Sequence, residues 1–360
     1  MKATGSDIDQ RRMSLENPQK QDRNDLEPMI PQRALDEWLD VVADSTKGST
    51  ADSYRRRVSR FIAWCEDEGI LNLNDVTGRH IKAYRDHRHP KCETSTLQNE
   101  LRTVRQFLQF GVAVEAVEPA LPESMGQIIP SLSKGDDSSD VMLGRERAHA
   151  IIDYLDEYHK ASREHALFLL LWDTGCRISG LRALDLEDFD VGQGTVTFRS
   201  RPESDTRLKN GQSSERINVL DESTVDVVAS YIRLHRNDRT DDYGREPLLT
   251  TKFGRHATTT VRRLVYELTQ PCLRGGCPHD EDPQSCEYRG HGHESKCPSS
   301  VSPHAIRTGR ITDMRNRGCD IKVVSGRVDA IPETIRRYYD KPDLEQDLSR
   351  RRGAISDIGL

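Results

Sequence analysis

Lysine is scarce in this chain: of 53 basic residues among 360, 12 are lysine and 41 are arginine. Long apolar runs are missing too. No stretch of about 18 apolar residues occurs, which excludes a helix spanning a bilayer. The opening residues, MKATGSDIDQRRMSLENPQK, contain no apolar segment of the kind a secretory signal needs. Only 34% of residues are hydrophobic and 31% are charged, so a soluble, cytoplasmic protein is expected. A basic excess is also lacking. The formal net charge of -6 argues against a protein that coats nucleic acid with its whole surface. Where charge sits matters more than its sum, however. Arginine suits forked contacts to phosphate better than lysine does, and abundant acids with few lysines would also fit work in high salt.

The length suggests two domains plus tails. Residues 1–32 are polar and aperiodic and read as a disordered tail. From 33 to 120 the pattern is helical: Ala34–Val42, then a helix after Ser49-Thr50 with Tyr54, Val58, Phe61, Ile62 and Cys65 at helical spacing, ended by Gly69. A third helix spans Gly78 to Arg88, and a fourth carries Leu97, Leu101, Val104 and Leu108. Arg55, Arg56, Arg57, Arg60, Arg79, Lys82 and Arg85 are grouped on this small bundle. They are either a solvated face or a side that neutralises DNA phosphates. Residues 121–141, rich in Pro, Gly, Ser and Asp, read as a linker.

The second domain, 142–345, begins with helix Arg145–Tyr158 and a strongly apolar helix, Ala166–Trp172. Two β-rich runs, Thr195–Arg199 and Arg216–Leu220, flank a polar segment and read as a hairpin with a long loop. Helices follow at Ser223–His235 and Thr258–Thr269. The fold class is therefore mainly α with a small antiparallel β-hairpin or sheet (α+β). Residues 346–360 form a C-terminal tail.

Chemistry concentrates near the C-terminus. Ser302 and Pro303 form a helix start, and His304 and Arg307, three apart, share one face of that helix. The pair Tyr338-Tyr339 follows about thirty residues later. Arg177 comes directly after the apolar helix, where burying an arginine demands an anionic partner. That partner is either a structural carboxylate or a phosphate.

These residues resemble the tyrosine recombinase (phage integrase) family, of the Xer type, in the branch typical of halophilic archaea. Thr174-Gly175-Cys176-Arg177-Ile178-Ser179-Gly180-Leu181 is similar to its first motif. Lys209 with Glu215-Arg216 is similar to its hairpin lysine, His304–Arg307 to its His-x-x-Arg, and Tyr338-Tyr339 to its terminal tyrosine. The resemblance covers residues from about 33 to 345. It implies a SAM-like helical core-binding domain followed by a catalytic domain that cuts and rejoins DNA through a 3′-phosphotyrosine. Arg177 and Arg307 would stabilise the phosphate charge, Lys209 would protonate the leaving oxygen, His304 would serve the nucleophile, and Tyr339, or alternatively Tyr338, would attack. No cofactor is implied for catalysis. Double-stranded DNA, with a homodimer or tetramer assembled on it, is the implied partner. Two positions depart from the pattern: Gly180 stands where a carboxylate is usual, and Arg327 follows Gly326 where a histidine or tryptophan is usual. Arg327 therefore either takes over a supporting catalytic role or marks its loss. The alternative function is a catalytically impaired, recombinase-derived DNA-binding protein.

The cysteines are unevenly spread. Cys272, Cys277, Cys286 and Cys297 fall within one insertion (272–297), with histidines between them. In a cytoplasmic protein such a cluster reads as a structural zinc site or as reduced thiols in a loop. The segment has too few large apolar residues to fold without a staple.

Overall fold

The computed structural model describes residues 26–45, 48–132, 141–340, 342 and 344–356. The chain divides into two compact units, Met1–Ser138 and Ser139–Leu360.

The first unit is a helical bundle: α1 (Pro31–Ser45), α2 (Gly48–Asp67), α3 (Gly78–Arg88), α4 (Thr94–Ala113) and the short α5 (Ala120–Ser124). The apolar stripes read from the sequence are the buried ones. Val58, Phe61, Ile62 and Cys65 of α2 pack with Leu97, Leu101, Val104 and Leu108 of α4 in one core. Gly69, at φ +75°, sits just past α2, in the left-handed conformation that favours glycine. Thr77 caps α3 by accepting from the His80 N–H. Aromatic contacts tie the helices together, Trp38 stacking on Tyr54 at 5.3 Å and Phe61 meeting Tyr84 edge-on at 5.1 Å.

Two boundaries differ from expectation. Residues 1–25 of the expected tail lie outside the described residues, but the chain is packed from Leu26 onward. Leu26 is buried, its carbonyl accepts from Asn74 Nδ2 at 3.0 Å, and the Glu27 N–H donates to the Glu115 carbonyl at 2.9 Å. The linker also starts later than residue 121. Leu121 and Met125, on α5 and the turn after it, are buried against the bundle core, so the Pro/Gly composition there hides an apolar anchor. Residues 133–140 lie outside the described residues.

The second unit contains α6 (Arg145–Tyr158), α7 (Arg163–Thr174), α8 (Ile178–Ala183), strands β1 (Phe189–Asp190), β2 (Thr195–Phe198) and β3 (Arg216–Val219), then α9 (Glu222–Leu234). A small ribbon, β4 (Thr250–Thr251) and β5 (Gly254–Arg255), leads into α10 (Thr258–Leu268). Last come α11 (Pro303–Asn316), α12 (Ile321–Val328), α13 (Pro332–Thr334) with a π-helical turn at Ile335–Tyr339, and α14 (Leu344–Ser356). The sheet is antiparallel in the order β1-β2-β3, and Thr195 pairs with Val219 and Phe198 with Arg216. The β2–β3 hairpin with its long polar loop is thus as the sequence indicated.

Helix α7 is the spine of this unit. Every residue from His165 to Thr174 is buried, as befits a helix apolar all round. Gly309 lets α11 approach the chain that enters α6: a Cβ there would lie 1.8 Å from the Leu143 carbonyl oxygen. The expected C-terminal tail is instead α14, held to the body by Arg350, which donates to Asp340 at 2.8 Å. Its last described residue is 356.

Candidate active site

Helix α7 ends at Gly175 in the left-handed conformation, φ +60°. The chain reverses there and presents Arg177 as the residue capping α8. A cleft opens at this turn, lined by Arg177, His304, Arg307, Arg262 and Tyr266. Arg177 also lines an adjoining groove with Lys209, Ser214, Asp329 and Thr334. Sequence positions 177, 209, 304 and 307 are therefore brought together by three elements, the start of α8, the β2–β3 loop and α11.

Helix α11 starts as the sequence implied, with the Ser302 side chain accepting from the Ala305 N–H. Arg307 is 1% exposed, the largest fully buried side chain among the described residues. Its guanidinium donates to the Gly175 carbonyl at 2.8 Å and the Val328 carbonyl at 2.6 Å. Its Nε is buried without a partner. Burial, then the Arg177 charge, push its pKa down to about 10, so it stays a cation at neutral pH. His304 sits at the cleft edge with part of its ring in solvent. Desolvation first, then Arg307, Arg177 and Lys209, lower its pKa, which favours the neutral imidazole, able to accept a proton.

The two tyrosines separate clearly. Tyr339 is 7% exposed; its ring lies 5.3 Å from that of His304 and 5.2 Å from the Arg307 Cζ. Its carbonyl accepts from Thr312 Oγ1 at 2.7 Å. Tyr338 is half-buried against the cluster of Ile311, Met314, Val324 and Ile335, with the Arg337 guanidinium 5.0 Å from its ring. The π-helical turn widens the ladder, the Asp340 N–H reaching the Ile335 carbonyl at 2.8 Å. Such single π turns recur at functional sites.

Arg327 is placed differently from the cleft residues. Its donors go to the carboxylate and carbonyl of Asp173 and to the carbonyl of Val219. Gly180 is buried, and a Cβ there would touch the Phe198 ring at 3.4 Å. The carboxylate beside Arg177 comes instead from Asp329, which the sequence did not single out; nor did it single out Ser214, Arg262 or Tyr266. None of them has a local pattern that marks it.

Of the basic cluster on the bundle, Arg60 and Arg57 are engaged within the unit, Arg60 with Glu100 at 2.6 Å and Arg57 with Thr103 at 3.1 Å. Arg55 is exposed and reaches Asp36 at 3.4 Å. Arg85 is half-buried, with its Nε lacking a partner. Arg56, Arg79 and Lys82 stand on exposed helix faces.

The cysteine insertion leaves from the end of α10 and returns at α11, its neck closed by the Val301 N–H donating to Thr269 Oγ1 at 3.0 Å. Arg147 clasps the same neck through the Thr269 and Ser299 carbonyls. All eight cysteines are free thiols. Cys277 and Cys297 are electrostatic neighbours of Cys272, whose pKa rises chiefly through burial. Among the described residues, no three His, Cys, Asp or Glu side chains are gathered as a set able to hold a metal ion, so Cys272, Cys277, Cys286 and Cys297 as arranged here do not form a tetrahedral site.

Residues 142–343 match the phage integrase family and residues 35–114 its N-terminal SAM-like domain. The chain belongs to the phage integrase family. Among curated relatives it is similar to the tyrosine recombinase XerC of Stutzerimonas stutzeri, 27% identical over 169 residues, which are 46% of this chain and 55% of the relative. The matched stretch thus spans about half the length of that relative. The tyrosine recombinase XerD of Pseudomonas aeruginosa is 24% identical over 337 residues, 91% of this chain and 97% of the relative. Among solved structures, the Tn1549 transposon integrase in complex with transposon right end DNA shares the fold. Its TM-score is 0.63 at 15% identity, covering 92% of this chain and 100% of that one. No described helix is long and apolar enough to cross a membrane.

Proposed function

We propose that this protein is a site-specific DNA recombinase that cuts and rejoins strands through a 3′-phosphotyrosine. One observation carries this reading: the Tyr339 ring lies 5.3 Å from that of His304 and 5.2 Å from the Arg307 Cζ, and those two residues line one cleft with Arg177. The phenolic oxygen of Tyr339 attacks phosphorus, forming a P–O bond to tyrosine as the bond to the 5′ oxygen breaks. His304, kept neutral, accepts the phenolic proton, and Lys209 gives a proton to the departing oxygen. Arg177 and Arg307 hold the non-bridging oxygens, a contribution of about 10²–10³-fold per donor. The unpartnered Nε of Arg307 supplies a donor that a phosphate oxygen would satisfy. One phosphoester replaces another, so the chemistry needs no metal or nucleotide. The opposite order restores the strand.

The substrate is double-stranded DNA, gripped by the helical unit through exposed Arg56, Arg79 and Lys82, with two or four copies assembled on it in the cytoplasm. Incubation with a nicked duplex that traps the intermediate, followed by a denaturing gel, tests the reading. A covalent protein–DNA adduct is expected, and its absence on every duplex offered would sink it. A structural zinc on the four insertion cysteines is a separate proposal. It is supported by four cysteines falling between positions 272 and 297 and by a segment poor in large apolar residues. Metal analysis of chelator-washed protein tests it, and a metal-free, folded protein would end it.

A further inference from the structure

We infer that Asp329 is the positioning residue that sets Arg177, Arg307 and the Lys209 loop relative to one another, an inference that rests on the strand-transfer reading. Asp329 follows α12 with φ 54° and ψ 65°, a left-handed conformation that costs most residues energy and that Asp and Asn tolerate best. In that conformation its two ends face different arginines. The carboxylate accepts from Arg177 at 2.5 Å. The backbone takes the other arginine, Arg307 donating to the Val328 carbonyl at 2.6 Å and to the Asp329 carbonyl at 3.5 Å.

The same carboxylate oxygen accepts from Ser214 Oγ at 2.8 Å. Ser214 Oγ in turn accepts from the N–H of Asn210, next to Lys209, at 3.2 Å. One residue thus connects the first arginine, the second arginine and the loop that carries the lysine, three places spread from position 177 to position 307 of the chain. Among the described residues, the Arg177 guanidinium has no other hydrogen-bond partner, so without the carboxylate no hydrogen bond fixes its long side chain before DNA arrives. A guanidinium carries five N–H donors. Asp329 engages NH1, which leaves the remaining donors available to a phosphate entering the cleft that Arg177 lines.

The test uses the full chain and a nicked duplex that the wild-type protein selects from a pool with a randomised core. Asp329→Asn and Asp329→Gly both accept the left-handed backbone, so they remove the charge without breaking the turn. Each is expected to slow single-turnover adduct formation per folded molecule by up to about 100-fold, the scale of a misplaced catalytic group, with affinity for the intact duplex unchanged. Ser214→Ala should give a smaller loss. In an Arg177→Ala background, Asp329→Asn should slow the reaction less than it does alone, because much of its effect passes through that arginine.

Wild-type or faster adduct formation by both Asp329 variants would overturn the inference. So would losses that multiply fully with that of Arg177→Ala, or that a fall in duplex affinity or in the folded fraction accounts for. A wild type that forms no adduct would sink the strand-transfer reading and this inference together. Adduct formation that Asp329→Asn leaves unchanged would sink this inference alone.

Discussion

Arg327 holds the Asp173 carboxylate at 2.7 Å, fastening α12 to the buried end of α7. Asp173 also accepts from the Asp221 N–H at 2.7 Å, so one carboxylate joins three elements behind the cleft. The side chain that stands beside Gly326 is thus a brace, and its donors are already engaged.

Arg327→Ala should therefore lower stability, not chemistry. Removing one partner of a largely buried charged hydrogen bond costs about 1–3 kcal/mol. Chemical denaturation would measure that loss. The rate of adduct formation per folded molecule should stay near wild type, and a collapse of that rate in a fully folded variant would return Arg327 to the chemistry.

Tyr339→Phe removes the only hydroxyl on that ring and should abolish the covalent adduct while DNA binding persists. Tyr338→Phe should leave the adduct in place, because the ring that lies against His304 and Arg307 is that of Tyr339. An adduct that survives the first change and disappears with the second would move the nucleophile by one residue.

The arginines of the bundle should divide in a salt titration of DNA affinity. Arg56→Ala and Arg79→Ala are each expected to reduce the slope of log K against log salt by about 0.9, as one lost phosphate contact does. Glu100 behaves differently: it is buried and accepts from Arg60, Arg88 and Tyr84. Burial raises its pKa, but the hydrogen bonds from Arg88 and Tyr84 outweigh that and hold it low. Glu100→Ala strands the Arg88 charge and should destabilise the bundle by about 3–5 kcal/mol, read as a lower denaturation midpoint.

His256 makes stability depend on pH. Burial, then the Arg163 charge, push its pKa from 6.5 to about 4. The unfolded chain therefore binds a proton at a pH where the folded one does not. The stability is fully present above about 6.5 and is lost as pH falls through about 4, amounting to about 3 kcal/mol. Denaturation across that window should show a steeper loss for wild type than for His256→Gln, and parallel curves would exclude the effect.

The sequence alone carried the helices, because their apolar periodicity is local: α3 and α6 run over Gly78–Arg88 and Arg145–Tyr158, as the pattern indicated. It also carried the site residues with a recognisable neighbourhood, Arg177 after its glycine, the His304–Arg307 spacing and the tyrosine pair. What it left undecided was which like residues do which job. Arg327 against Arg177, Arg60 against Arg56 and Tyr338 against Tyr339 are pairs of identical side chains in similar local contexts. Only the tertiary structure separates them, because the deciding quantity is the partner each meets across the fold: Asp173, Asp329, Glu100 or His304. Asp329 shows the same limit from the other side. Its importance comes from a left-handed turn and from contacts more than 100 residues away, which no local pattern records.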